Sequence, residues 1–260
     1  MLCIFKKYNI IPLFIFDGKP PKEKYEEIQK RNDKRNEALE EYEEKKDLLD
    51  MNNANDRKEL IRLKRQTIKV SKDDINCVKE LLGSMGFKYL TANGEADLLC
   101  AKLLQEKKVD ACLSDDMDMF AYGCNKVLRH LSLLKHKVLI YDYKTIISSL
   151  NMNKTNFTWL CCLSGSDYFN DNNSTIFDYY KSYIKYKTRY KNINNTSFID
   201  YLKERQIIDD IQYDEFHKAY NMFDINNTDY TEVLNNLKVV YDNYDKEKLY
   251  NILEKENFIL

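Results

Sequence analysis

Apolar positions change their period several times along the 260-residue chain, and these changes predict its elements. Residues 1–8 resemble the end of a helix, and the continuous apolar run at residues 9–16 (NIIPLFIF) is typical of a buried strand. Residues 22–82 contain neither Gly nor Pro and are dense in charge, which predicts long helices with a break near residues 52–55. This segment is close to charge-balanced, and its composition alone favours a solvated helical hairpin.

Short helical and extended patterns then alternate. We predict helices over residues 72–84 and 96–105, and strands over residues 87–90 and 109–113. Residues 126–130 and 137–141 follow as two more strands that could form a hairpin, and residues 155–163 as a buried helix closed by Gly165. Amphipathic helices continue to the last residue. This order predicts an α/β fold with a mostly parallel central sheet.

Composition narrows the class of protein. Apolar residues make up 43% and charged residues 32%, and the formal net charge is -1, so any basic surface for nucleic acid must be local. The seven cysteines include no C-x-x-C pair, which argues against a zinc site and a disulfide framework and favours a reducing compartment. Because no run has the length of a membrane span or a secretory signal, we expect an intracellular protein without a membrane partner.

Carboxylates follow the predicted strands. Asp17 follows the first, Glu95 and Asp97 the second, and Asp116 and Asp118 the third. Ligands of parallel sheets bind at the carboxyl ends of strands, so these five side chains can converge there. Clustered carboxylates attract Mg²⁺ or Mn²⁺. On spacing alone, two solvated acidic loop edges remain the better interpretation.

The local conformation of these carboxylates is also predictable. If residues 116–118 are extended, Asp116 and Asp118 point to one side and Asp115 to the other. Residues two apart diverge on a helix, so we expect Glu95 in a loop and Asp97 in the first helical turn, where the dipole favours an anion.

A basic segment lies beyond the alternating region. Residues 179–191 (YYKSYIKYKTRYK) interleave tyrosines with basic side chains that could follow a phosphate backbone. An ordinary surface helix whose tyrosines pack inward explains the pattern equally well. The basic residues are Lys181, Lys185, Lys187, Arg189 and Lys191.

Four motifs in order carry a family resemblance: IFDGKPPKEKYEEIQKR, GEADLLCAKL, SDDMDMFAYG and LCCLSGSDY. Together they resemble the flap endonuclease/XPG family of structure-specific 5′ nucleases, over about residues 1–168 and weakly beyond. The short spacing before GEAD resembles the flap-endonuclease branch. The resemblance implies a PIN-like nuclease core and two Mg²⁺ ions, for which Mn²⁺ can substitute. The implied metal ligands are Asp17, Glu95, Asp97, Asp116, Asp118 and Asp167.

The same resemblance assigns roles to other segments. Lys24 and Arg31, seven residues apart on one helix, would reach the scissile phosphate. We expect a nuclease core over residues 1–170, with a helical arch for a single-stranded 5′ flap at residues 22–72. A C-terminal helical DNA-binding region would occupy residues 171–260.

The resemblance implies a monomeric 5′ flap endonuclease/exonuclease that hydrolyses phosphodiester bonds of flap or junction DNA. It would act in replication or repair, in the nucleus or another site of DNA replication. A catalytically weak DNA-binding relative and a 5′-3′ RNA exonuclease are the alternatives.

Three departures from the family pattern bear on these expectations. The family's amino-terminal strand and first metal aspartate have no counterpart here, so we expect weak activity and stability without them. The glycine-rich hairpin after SGSDY is replaced by a glycine-free segment, for which residues 181–191 could substitute. No sliding-clamp motif is recognisable at the C-terminus.

Overall fold

The computed structural model describes residues 1–50, 52–165, 174–190, 196–226 and 228–258. These residues form an α/β structure of two compact units, which are described separately. The first contains residues 1–19 and 90–241, and the second contains residues 20–89 and 242–260. The division predicted at residue 170 was based on sequence motifs, whereas these two units are defined by their internal contacts. The functional division therefore stays a prediction.

Five strands, thirteen α-helices and one short 3-10 helix are present in the described residues. The strands are β1 (Leu13–Phe16), β2 (Lys88–Thr91), β3 (Cys112–Leu113), β4 (Lys126–Ser132) and β5 (Lys137–Asp142). The first helices are α1 (Leu2–Lys7), α2 (Tyr25–Lys45), α3 (Ala54–Thr67), α4 (Lys72–Ser84), α5 (Ala96–Gln105) and α6 (Asp118–Ala121). The later helices are α7 (Tyr143–Ser149), α8 (Lys154–Leu163), α9 (Ile176–Arg189), α10 (Phe198–Glu204), α11 (Asp210–Met222), α12 (Thr231–Asn236) and α13 (Lys246–Lys255).

The strands of the described residues form two small sheets. One pairs β1 with β2, and the other has the order β3-β4-β5. β3 runs parallel to β4, and β4 and β5 form the predicted antiparallel hairpin. The α/β class is therefore confirmed, although the predicted central sheet is divided into two pieces.

Two strands are shorter than their apolar runs predict. Asn9, two residues after α1, has a left-handed conformation (φ 54°), and Pro12, which has no N–H for a sheet ladder, directly precedes β1. Turns after α5, including Lys107 at φ 55°, leave β3 with two residues. The predicted runs at residues 9–16 and 109–113 thus shorten to Leu13–Phe16 and Cys112–Leu113.

The core of the first unit is built around α8. Its side chains Trp159, Leu160, Cys162 and Leu163 are at most 4% exposed, and the helix packs against α6, α9 and α11. All seven cysteines are free thiols. The apolar pattern of residues 155–163 was therefore a reliable signal for a buried helix.

The second unit contains a helix pair formed by α2 and α3, which confirms the helical hairpin predicted within residues 22–72. Lys45 Nζ lies 2.5 Å from Glu41 Oε1 in its own helix and 3.4 Å from Glu59 Oε1 in α3. Glu59 also accepts a hydrogen bond from Arg62, and this bond, with help from Lys45, lowers the pKa of Glu59 to about 2. A charged network thus joins the two helices.

None of the helices in the described ranges combines the length and the apolar character needed to cross a bilayer.

Gly18 brings the end of β1 unusually close to the segment after β2. Its N–H donates to the Gly94 carbonyl at 2.8 Å, and a Cβ at residue 18 would lie 2.0 Å from the Ala92 carbonyl oxygen. That distance is far below any van der Waals contact, so the backbones can approach this closely only without a side chain. Gly18 therefore fixes the spacing of two segments that carry candidate carboxylates.

We expect Gly18→Ala to lower the free energy of unfolding by about 1–3 kcal/mol, because the two backbones must separate. Gly83→Ala is the matched control: it lies within α4, where a Cβ would meet nothing within 4 Å. That change should raise the free energy of unfolding by up to about 1 kcal/mol. Urea unfolding of both variants measures the difference, and a Gly18→Ala variant as stable as the wild type would contradict the close approach.

Candidate active site

Three of the predicted carboxylates lie at the amino-terminal end of α5. Glu95 is the extended N-cap residue of the helix (φ -71°, ψ 135°), and Asp97 lies in its first turn. The predicted loop position of Glu95 and helical position of Asp97 are both confirmed. Asp17 reaches the same place from the end of β1, where its Oδ1 accepts a hydrogen bond from Ala96 N at 2.8 Å. Asp17, Glu95 and Asp97 are thus brought to one helix end.

The electrostatics of this helix end favour negative charge. The first N–H groups of a helix have no partner within it, and its dipole is positive there. Asp17 satisfies one such N–H, and Glu95 and Asp97 are half-buried around it. Beneath them, the pKa of the Cys100 thiol is raised by a hydrogen bond with Cys112, by burial and by the nearby carboxylates of Asp97 and Asp17. That thiol is therefore held in its neutral form.

The second acidic loop follows β3, and its residues 116–118 are not extended. Met117 adopts a helical conformation (φ -78°, ψ -19°), and α6 begins at Asp118. The Asp116 Oδ1 accepts a hydrogen bond from Asp118 N at 2.9 Å, a local side-chain contact that competes with an extended backbone. The extended backbone that would align Asp116 and Asp118 by alternation is therefore not present, because Asp116 closes a turn.

Asp118 occupies the more enclosed position of this pair. It is half-buried at the start of α6, whereas Asp116 is exposed, and α6 packs against both α5 and α8. Burial, with a smaller contribution from the Asp118 charge, raises the pKa of the Cys161 thiol in α8 to about 12. Asp118 is therefore close to Cys161 of α8, whereas Asp17 and Asp97 lie at the start of α5.

The donor chemistry of these residues fits a hard divalent cation, since carboxylate oxygens are the ligands that Mg²⁺ and Mn²⁺ take. Among the described residues, however, no group of three or more His, Cys, Asp or Glu side chains is close enough to hold a metal ion. Asp167, the sixth predicted ligand, lies outside the described residues. The elements that carry five of the carboxylates are thus established, and the metal site stays a prediction.

The two predicted phosphate-contacting residues lie in the second unit. Lys24 ends a short 3-10 turn (Lys22–Lys24) immediately before α2, and Arg31 lies two turns into that helix. The Arg31 side chain is 58% exposed, and its Nε donates to Glu27 Oε1 at 3.1 Å. Their seven-residue spacing therefore crosses a junction between helix types, and their phosphate role stays a prediction.

The basic residues of α9 divide between two environments. Lys181, Lys185 and Arg189 are exposed and, four residues apart, follow one face of the helix. Lys187 is instead half-buried and donates to the Asn151 carbonyl at 2.7 Å. Lys191 lies outside the described residues.

The tyrosines of α9 face the core, as the second interpretation of this segment expected. Tyr179 and Tyr183 are 1% and 3% exposed, and the Tyr183 hydroxyl donates to the Asn151 carbonyl. The tyrosines thus stabilise the helix. Three of the basic residues remain available for a ligand.

Two features around the acidic loops escaped the sequence analysis. Gly18, beside Asp17, permits the close backbone approach described above. Arg129 and His130 on β4 contact Asp115, directly before the second acidic pair. The adjacent basic residues Arg129 and His130, in the strand that follows an aspartate-rich loop, are the signal that could have indicated this contact.

Comparison with known families agrees with this arrangement. The XPG N-terminal domain matches residues 1–38, and the XPG I-region matches residues 86–167. The first region includes Asp17, Lys24 and Arg31, and the second includes both acidic loops.

Curated relatives point to the same family. Flap endonuclease 1 of Meyerozyma guilliermondii is 37% identical over 163 residues, which is 62% of this chain and 42% of that protein. Flap endonuclease 1 of Drosophila mojavensis is 33% identical over 198 residues, 74% of this chain and 50% of that protein. The matched segment thus spans half or less of the length of these relatives.

Solved structures extend the likeness along almost the whole chain. The catalytic core of Rad2 in complex with DNA substrate is 26% identical with a TM-score of 0.61, covering 98% of this chain and 77% of that one. Flap endonuclease-1 from Methanococcus jannaschii, at 21% identity, shares the fold with a TM-score of 0.65, covering 99% and 74%. The two matching regions, the relatives and the shared fold together show that the chain belongs to the flap endonuclease/XPG family.

Proposed function

We propose that this chain is a divalent-metal-dependent, structure-specific endonuclease that cleaves DNA carrying a 5′ flap. The observation that carries the proposal is the placement of Asp17, Glu95 and Asp97 at one helix end and of Asp116 and Asp118 on the loop that follows β3. Both sets lie within or beside the matched family regions. A flap or junction in DNA is the proposed substrate, and the nucleus or another site of DNA replication is the proposed location.

The carboxylates would hold the metal, and Mg²⁺ is the proposed ion. When bound, two such ions supply an activated water and stabilise the leaving oxygen of a phosphodiester. The protein's own contribution is to hold acidic side chains at fixed helix and strand ends, so that they need not reorganise during the reaction. Lys24 and Arg31 would add positive charge beside the scissile phosphate.

The acidic loop after β3 provides the first test. We expect the Asp116→Asn/Asp118→Asn variant to lose Mg²⁺-dependent cleavage of a 5′ flap by about a thousandfold or more, because several kcal/mol of charge stabilisation disappear. The fold should persist, since an asparagine side chain at residue 116 can still accept the hydrogen bond from the residue 118 N–H. Single-turnover cleavage and thermal unfolding measure the two effects.

Asp110→Asn is the matched control, because Asp110 is exposed and lies two residues before the same strand, on the side away from the acidic loop in sequence. It should leave cleavage unchanged. Cleavage that survives in the double variant would refute the metal assignment. A wild-type chain that cuts single-stranded RNA but not flap DNA would favour a 5′-3′ RNA exonuclease, and one that binds flap DNA without cutting it would favour an inactive relative.

The second test concerns Lys24 and Arg31. We expect alanine at either position to lower the single-turnover rate about 100- to 1,000-fold, while DNA affinity changes far less, because the charge acts mainly in the transition state. Stability should change by less than about 1 kcal/mol, since the Arg31–Glu27 ion pair is exposed.

Lys30→Ala provides the control for charge, since Lys30 is an exposed neighbour in α2. Its rate should remain near that of the wild type. A large loss of DNA affinity with an unchanged rate in the Lys24 or Arg31 variants would instead assign these residues to substrate binding.

The third test concerns the exposed basic face of α9, which we propose as a duplex contact. Each phosphate contact that is removed lowers the slope of log K against log salt by about 0.9, so the triple glutamine variant should lose up to about 2.7. The substituted residues are Lys181, Lys185 and Arg189.

A matched triple variant separates this local effect from a change in net charge. It neutralises three exposed lysines elsewhere in the same unit, and its slope should stay close to that of the wild type. If both triple variants lose the same amount of the slope of log K against log salt, α9 is an ordinary surface helix and the proposed duplex contact is wrong. The control residues are Lys144, Lys154 and Lys218.

A further inference from the structure

Arg129 on β4 reaches the acidic loop that follows β3. Its side chain is only 14% exposed, and its Nη2 donates to the Asp115 backbone carbonyl at 2.6 Å. Its Nη1 lies against the Met117 sulfur, and its Nε is 3.9 Å from Asp115 Oδ1. One guanidinium therefore contacts both ends of the three-residue segment whose middle residue is Asp116.

The next residue holds the same loop through its backbone. His130 N donates to Asp115 Oδ1 at 2.8 Å, and His130 Nδ1 lies 3.4 Å from that oxygen. Arg129 therefore binds the carbonyl of Asp115, and His130 binds its carboxylate. Asp115 is therefore held through both its backbone and its side chain, directly before Asp116.

A bulge in the hairpin makes these two contacts possible. Arg129 pairs with Leu139 and Ser132 pairs with Lys137, so three residue steps on β4 face two on β5. His130, in the middle of this irregularity, adopts a left-handed conformation (φ 55°). Bulges of this kind redirect side chains, and they recur beside active sites.

The conformation of His130 and the burial of Arg129 both cost free energy, and packing of the strand does not require either of them. A left-handed conformation costs an L-residue about 1–2 kcal/mol. Burying a guanidinium is also unfavourable unless its donors are paired, and within the described part of the chain the buried Arg129 Nε has no hydrogen-bond partner. By contrast, Lys126 at the start of the same strand is exposed.

We propose that Arg129 is a positioning residue, which fixes the backbone of residues 115–117 and thereby the placement of Asp116 and Asp118 for the reaction. The catalytic consequence rests on the proposed function. The ordering of the loop does not, because it follows from contacts within the protein alone. The two parts can therefore be tested separately.

Amide hydrogen exchange of the metal-free protein tests the ordering. We expect Arg129→Gln to speed exchange of the His130 and Asp118 N–H groups about tenfold, as expected when a charge-assisted hydrogen bond is lost. Arg129→Lys keeps the charge and most of the stem but cannot contact the carbonyl and the sulfur together, so it should give an intermediate rate. Lys137→Gln, an exposed cation of the same hairpin, should leave these rates unchanged.

Single-turnover cleavage and flap binding of the same variants test the consequence. The proposal predicts a lower cleavage rate in the order wild type, Arg129→Lys, Arg129→Gln, with little change in DNA affinity and with folding retained in thermal unfolding. Unchanged exchange in Arg129→Gln would overturn the proposal whatever the activity. Faster exchange with an unchanged cleavage rate would overturn the positioning role. A wild-type chain without nuclease activity would refute the proposed function, and the exchange result alone would then decide the ordering of the loop.

Discussion

The candidate site depends on the contact between the end of β1 and the start of α5. Gly18 N donates to the Gly94 carbonyl, and Asp17 Oδ1 accepts from Ala96 N in the same contact zone. Because a Cβ at residue 18 would overlap the Ala92 carbonyl, the approach needs glycine. Two strand ends that are far apart in sequence are thereby joined at a helix end whose dipole favours anions.

The second acidic loop is held by different means. Asp116 closes a turn onto Asp118, and Arg129 and His130 anchor Asp115 from the neighbouring strand. Carboxylates that repel one another need such an external framework if they are to stay close in the absence of a cation. The fold thus has a glycine contact beside one acidic set and the largely enclosed guanidinium of Arg129 beside the other.

The sequence predicts regular elements well where local signals agree. The predicted helices at residues 72–84 and 96–105 coincide with α4 and α5, because Ser71 and Asp74 form a capping box and because an apolar period continues through α5. Four motifs located the carboxylates and the family. The strand at residues 9–16 was overestimated, because its apolar character is uniform while Pro12 limits the ladder.

What the sequence did not predict are contacts between distant segments. The turn at Asp116 depends on a side chain bonding to the backbone two residues later, and alternation rules ignore this kind of contact. The roles of Arg129 and His130 depend on a bulge in the register of β4 against β5, which no local pattern encodes. The split of the basic residues in α9 arises because Lys187 meets the Asn151 carbonyl, 36 residues earlier in the chain.

We propose that the carboxylates at the ends of β1 and β3 and at the start of α5 form one divalent-metal site. Anomalous diffraction from crystals of this chain grown with Mn²⁺ would test this proposal, because it locates the ions without relying on activity. We expect Mn²⁺ to be bound by carboxylate oxygens from both acidic sets, Asp17, Glu95 and Asp97 on one side and Asp116 and Asp118 on the other. Mn²⁺ bound only elsewhere, or no bound Mn²⁺ at millimolar concentration, would contradict it.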